Sequence, residues 1–228
     1  MWTRQVDGIT LTFRLAGINN QNFLMRDEET GSYWQQISGL AIAGPLKGRA
    51  LQLIHSDELS FALWRTEQPA GTVLAEVGAF APQYAKKDWE QRMQSTPTVL
   101  SYAQPGLAPR TLIVGLRANG ATRAYPHQTV VKEQLILDTL GGTNLLITLG
   151  PDGQSLRAFK TQDRTFYRTP EAVLIDDATG SHWNFQGCAT SGPAKGACLE
   201  PLDITQDYWF DWRHYNPATT VFTQSATP

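Results

Sequence analysis

The chain has 228 residues, enough for one large domain or two small ones with a substantial core. Charged residues make up 18%, the net charge is −2 and no run of Lys or Arg exceeds two, which argues against a nucleic-acid surface. No apolar stretch approaches the length of a bilayer span, and Met1-Trp2-Thr3-Arg4-Gln5 does not open a signal peptide.

Low charge with 19 Gly and 13 Pro suits a sheet-rich chain of many short strands. In chain order, Asp7-Gly8 reads as a turn opening the strand Ile9 to Phe13. Thr30-Gly31-Ser32 is turn chemistry. Leu40 to Ala43, Gly44-Pro45-Leu46-Lys47-Gly48 and Arg49 to Ile54 read as strand, turn, strand. Ser60 to Glu67 predicts one or two helical turns that stop before Pro69. Ala85 to Ser95 is the best helix candidate, and Gln104 to Pro109 reads as a linker or exposed loop. Thr111 to Leu116 has the pattern of a buried strand. Arg123-Ala124-Tyr125-Pro126, the Gly141-Gly142 turn and the strand-like Leu145 to Thr148 follow. Asp152-Gly153 opens a stretch ending at Phe159, and Tyr208 to Tyr215 repeats the helical pattern before Pro217.

Several of these segments match one another. Thr30 to Trp34 recurs as Thr179 to Trp183, and Gly44 to Gly48 recurs as Gly192 to Gly196. Leu63-Trp64-Arg65 matches Asp211-Trp212-Arg213, and Pro69-Ala70 with Thr72-Val73 matches Pro217-Ala218 with Thr220-Val221. The order is kept, so the chain is expected to contain one unit twice, with pseudo-twofold related sheets in a mainly β fold carrying minor α. The expected divisions are copy one at 1–74, incomplete at its N-terminal side, a helical linker and loop at 75–110, and copy two at 111–228. Copy one lacks a counterpart of the block Thr111 to Thr148. A second copy of the chain or a protein partner is therefore expected at the copy-one edge.

Residues shared by both copies serve the shared fold. They are Gly31, Trp34, Gly44, Pro45, Trp64 and Arg65 in the first, and Gly180, Trp183, Gly192, Pro193, Trp212 and Arg213 in the second. The two arginines are expected to pair with a carboxylate or cover an aromatic face. Chemistry is sought where the copies differ. His182 replaces Tyr33, Asp211 replaces Leu63, His214 replaces Thr66 and Glu200 replaces Gln52. His182, Asp211 and His214 are the candidate acid–base residues, since histidine titrates near neutrality. Their spacing matches no metal motif, and no phosphate loop, Gly-x-Gly-x-x-Gly or Gly-x-Ser-x-Gly elbow is present, so no metal or cofactor is expected.

Cys188 and Cys198 flank the Gly192 to Gly196 turn, and their copy-one counterparts Leu40 and Ala50 form a large–small apolar pair. A hairpin places such positions opposite each other. A disulfide is predicted, together with an extracytoplasmic address, periplasmic or secreted.

The segments Asp27 to Trp34, Ala41 to Gly48, Leu112 to Tyr125 and Gly180 to Trp183 together resemble the bacterial and archaeal family called "domain of unknown function 3179". The resemblance covers nearly the whole chain and implies no substrate and no established catalytic residue. That family's pattern carries a Cys-Pro-Leu-Cys stretch just before the equivalent of Asp7-Gly8. This chain starts at that point, and the matching place in copy two, near Leu149-Gly150-Pro151, has no cysteines. The functional expectation is a β-rich binding or scaffold module, a subunit of a larger extracytoplasmic assembly. The alternative is an enzyme with an acid–base or metal-assisted site in the cleft between the copies.

Overall fold

A computed structural model describes residues 1–19, 22–97 and 106–224. Strand outweighs helix, 38% to 16%, so the chain is mainly β. It divides into two compact units, Met1–Ser56 and Asp57–Pro228.

In the first unit β1 (Gln5–Val6) and β2 (Ile9–Thr10) form a hairpin across Asp7-Gly8, both at positive φ. Then β3 (Phe13–Asn19), β4 (Asn22–Asp27), β5 (Tyr33–Gln35) and β6 (Ala41–Ala43) pair in chain order as one antiparallel sheet. Its core is Val6, Leu11, Trp34, Ala41 and Leu51.

The second unit opens with α1 (Phe61–Glu67), a 3-10 turn at Gly78–Gln83 and α2 (Trp89–Ser95), the last within the stretch predicted to be helical. Residues 98–105, part of the linker and loop read from the sequence, lie outside the described residues. The strands β7 (Leu112–Ala118) and β8 (Ala121–Pro126) follow, then α3 (His127–Glu133), β9 (Leu135–Leu140), β10 (Thr143–Leu149) and β11 (Leu156–Lys160). Next come β12 (Phe166–Arg168), β13 (Leu174–Asp176), β14 (His182–Trp183), β15 (Ala189–Ser191), β16 (Glu200–Leu202) and β17 (Ile204–Tyr208). The unit closes with α4 (Trp209–Tyr215) and β18 (Thr220–Val221). Three four-stranded sheets result, ordered β17-β7-β8-β18, β16-β11-β10-β9 and β12-β13-β14-β15. Only β18, against β8, is a parallel pair among the described strands.

The apolar runs of β7 and β10 have a physical reason. On β7, Val114, Leu116 and Ala118 face one core with Tyr125, Val130, Leu145 and Ile147, while Ile113 joins Trp209 and Trp212 on the other side. On β10, Leu145, Ile147 and Leu149 share that first core while Leu146 packs with Phe159 and Trp183. A strand buried on both faces cannot alternate with polar residues. The β7–β8 hairpin turns on Asn119-Gly120, with φ of 46° and 80°, the pair that a tight hairpin twisting with its strands requires.

The predicted disulfide is present, with Cys188 and Cys198 joined at 2.03 Å across an isolated antiparallel bridge. In the first unit Leu40 and Ala50 form the same kind of bridge. The cross-strand register argued from that apolar pair is the register found.

Candidate functional site

One local structure is built in each unit. Asp27 is 1% exposed and accepts from the backbone N–H and hydroxyl of Thr30, from the N–H groups of Gly31 and Ser32, and from the Trp34 indole at 2.8 Å. Asp176, fully buried, accepts from Thr179 in the same two ways and from the Trp183 indole at 2.9 Å. Ser32 and Ser181 hydroxyls then accept the N–H of Leu46 and Ala194. Gly44 and Gly192 press so close that a Cβ would lie 2.6 and 2.7 Å from the Ser32 and Ser181 Cα atoms. Phe13 and Phe166 meet Trp34 and Trp183 edge-on at 5.8 and 5.6 Å. Burial pushes both carboxyls up, but the donated bonds outweigh it and hold them below the ordinary aspartate range. These groups are consumed by turns and indoles, so they serve the fold.

The sequence-matched helices α1 and α4 differ. Trp209 is 4% and Trp212 0% exposed, whereas Phe61, at the position matching Trp209, is 57% exposed and Trp64 is half-buried. The closure of α4 is set by Gly115 of β7, where a Cβ would lie 2.3 Å from the Trp212 ring. Arg117 lies 4.4 Å from the Trp212 ring and donates to Asn216, the residue that ends the helix. Trp212 donates to Thr219 at 2.9 Å.

At α1 the corresponding strand is β11. Gly115-Leu116-Arg117-Ala118 of β7 reads like Ser155, just before β11, followed by Leu156-Arg157-Ala158 of that strand. Arg157 donates to Asp57 through Nε and Nη2, and to Glu67 through both terminal nitrogens, at 2.7–2.9 Å. Ser60, whose hydroxyl caps α1 by accepting from Leu63, donates its own N–H to the Ser155 hydroxyl at 2.9 Å. The glycine that admits Trp212 is a serine here, and its hydroxyl also donates to Asp152. A groove of about 450 Å³ remains, lined by Asp57, Leu59, Phe61, Trp64, Glu67, Gln68 and Arg157. The Phe61 and Trp64 rings stack at 5.6 Å with 24° between their planes, one flat aromatic surface beside three charged groups.

The three candidate acid–base residues are placed as follows. His182 is exposed on β14, in the β12–β15 sheet. His214 is exposed on α4, its ring edge-on to Tyr215 at 4.9 Å. Asp211, in the first turn of α4, is buried at 8% and meets Asp207, the residue before Tyr208 on β17. Asp207 Oδ1 accepts the Tyr208 N–H at 2.7 Å, while its Oδ2 is buried with no donor among the described residues. Burial, and then the charge of Asp211, push the Asp207 carboxyl up to about 7 against the opposing pull of Arg117. Asp207 was missed in the sequence, although its matched residue, Leu59, offered the same signal as Leu63 for Asp211. Arg213 covers Trp209 at 6.0 Å, one of the two roles expected of it.

A second cavity, of about 440 Å³, is lined in part by Arg123, Glu133, Asp138 and Thr220. Asp138 there accepts from Arg123 and from the Tyr125 hydroxyl, whose pKa burial and that bond raise. Among the described residues no three His, Cys, Asp or Glu side chains gather as metal ligands, and no helix is long and apolar enough to cross a membrane.

The fold and these sites define a mainly β, disulfide-bonded protein with an open aromatic groove beside α1. Residues 1–219 match the family described as "Protein of unknown function (DUF3179)", and the chain belongs to it. No curated protein and no solved structure matches the chain.

Proposed function

We propose that the chain is a β-rich binding module and works as a subunit of a larger extracytoplasmic assembly, with the α1 groove as its partner surface. The observation that carries this reading is the contrast between the two matched helices. Of the two aromatics that α4 buries, α1 displays the first, Phe61 at 57% exposure, stacked on the half-buried Trp64 above an open groove. Exposed Phe61 and half-buried Trp64 beside the mutually paired Asp57, Glu67 and Arg157 have the composition of an aromatic interface anchor over a charged floor. The first unit supports association as well. β3 ends its sheet, and the β3–β4 hairpin exposes Leu15, Ile18 and Phe23, an apolar surface beside a sheet edge of the kind proteins often cover. The disulfide supports an oxidising address.

The test is photo-crosslinking in the native source. A photoreactive residue replaces Phe61 in one variant and Leu74, which is 97% exposed, in another. We expect a discrete adduct from position 61, with a partner chain or a second copy, and none from position 74. Equal labelling from both positions removes the groove as a partner surface.

A further inference from the structure

We propose that the cleft at the end of β12 binds a small monocarboxylate with a short apolar body, its carboxylate held by Arg168 and Gln134. The cleft, of about 260 Å³, lies where α3, β10 and β12 end. What carries the proposal is a cation without a counter-charge. A guanidinium has five N–H donors. Arg168 gives one to Gln134 Oε1 at 2.6 Å and one to the Leu149 carbonyl at 3.2 Å, both neutral acceptors. Its Nε–H is buried with no acceptor among the described residues, and two terminal N–H groups remain for a ligand. No carboxylate among the described residues pairs with it, and burial pulls its pKa below the ordinary arginine value. Arg157, by contrast, is met by both Asp57 and Glu67. A half-buried cation on neutral acceptors alone is stabilised when an anion joins it.

The shared fold does not demand this arginine. Phe13 and Phe166 meet their tryptophans alike, and the strands after them keep one register: Phe13 faces Asp27 and Leu15 faces Met25, while Phe166 faces Asp176 and Arg168 faces Leu174. Arg168 therefore stands where the first unit has Leu15. Gln134 is fixed on both sides, its N–H donating to the Val130 carbonyl at 2.8 Å and its own carbonyl accepting the Leu149 N–H at 2.9 Å. With Oε1 taken by Arg168, its amide NH₂ is a further donor for an anion. Leu149, Pro151 and Pro170 give the cleft an apolar wall. The volume suits a few heavy atoms beyond the carboxylate rather than a large ligand. One guanidinium balances one negative charge, and the exposed Glu171 on the same lining disfavours a dianion such as phosphate.

Butyrate, its neutral isostere butyramide and inorganic phosphate are the probes, each titrated into the full chain at constant ionic strength. Arginine side-chain N–H signals in ¹⁵N NMR report contact, with the Arg168 signal identified by its loss in Arg168→Leu, and ligand-observed saturation transfer gives the affinities of the variants. We expect butyrate to shift the Arg168 signal saturably with a Kd on the order of 1 mM. Butyramide and phosphate should bind at least about 10-fold more weakly. Arg168→Leu, which installs the residue of the matched strand, should weaken butyrate binding by about 10-fold or more. Gln134→Ala keeps the charge, should weaken it by about 3-fold, and serves if the first variant misfolds. Butyramide bound as tightly as butyrate, phosphate bound more tightly than butyrate, a shift that does not saturate, or undiminished affinity in the folded variants overturns the proposal.

Discussion

Replacing Asp176 by alanine is expected to destabilise the second unit by about 3–5 kcal/mol in chemical denaturation. The aspartate is fully buried, and its removal strands the Trp183 indole N–H together with the backbone N–H and hydroxyl of Thr179. Each buried donor left without an acceptor costs about 1–3 kcal/mol. Asp27→Ala should have a similar effect on the first unit, where Trp34, Thr30, Gly31 and Ser32 lose the same acceptor. Both carboxyls titrate below the ordinary range, because bonds to the charged form outweigh burial. Their contribution is therefore complete above about pH 4 and disappears as pH falls through the depressed folded values. A loss under 1 kcal/mol in either variant would mean that the turn is held by its backbone alone.

Gly115→Ser is expected to cost about 3 kcal/mol and to make α4 resemble α1. A side chain at position 115 begins 2.3–2.6 Å from three carbons of the Trp212 ring, which is fully buried and cannot yield by a few tenths of an ångström. The indole would have to leave its seat, losing its bond to Thr219 and its stacking with Arg117. Denaturation gives the energetic loss, and a red shift of tryptophan emission reports the new exposure. Native stability with unshifted emission would show that β7 can move to admit the side chain.

Much of the local structure was legible because matched segments carry their own instructions. Thr-Gly-Ser followed by an aromatic and Trp specifies a tight turn with an indole N–H folded back on the preceding aspartate, and both units build it. The disulfide followed from Leu40 and Ala50, whose bridge it mirrors. The helices at 61–67 and 209–215 stop where Pro69 and Pro217 approach. What stayed hidden depends on distant pairings. Arg157 reaches Asp57 and Glu67 across 100 and 90 residues, and no local pattern marks such a triad. Looking for reactive groups present in one copy selected the buried Asp211 together with the exposed His182 and His214, because a substitution pattern does not encode burial. Asp207 escaped because its neighbourhood to Asp211 arises only where β17 turns into α4.

The two matched helices end in opposite states, α4 closed over its aromatic pair and α1 open. Hydroxyl-radical footprinting of the purified chain, read residue by residue by mass spectrometry, measures this most directly. Rapid oxidation of Phe61 and Trp64 and strong protection of Trp209 and Trp212 are expected, with Trp34 and Trp183 as buried references. Equal protection of Trp64 and Trp212 would contradict it.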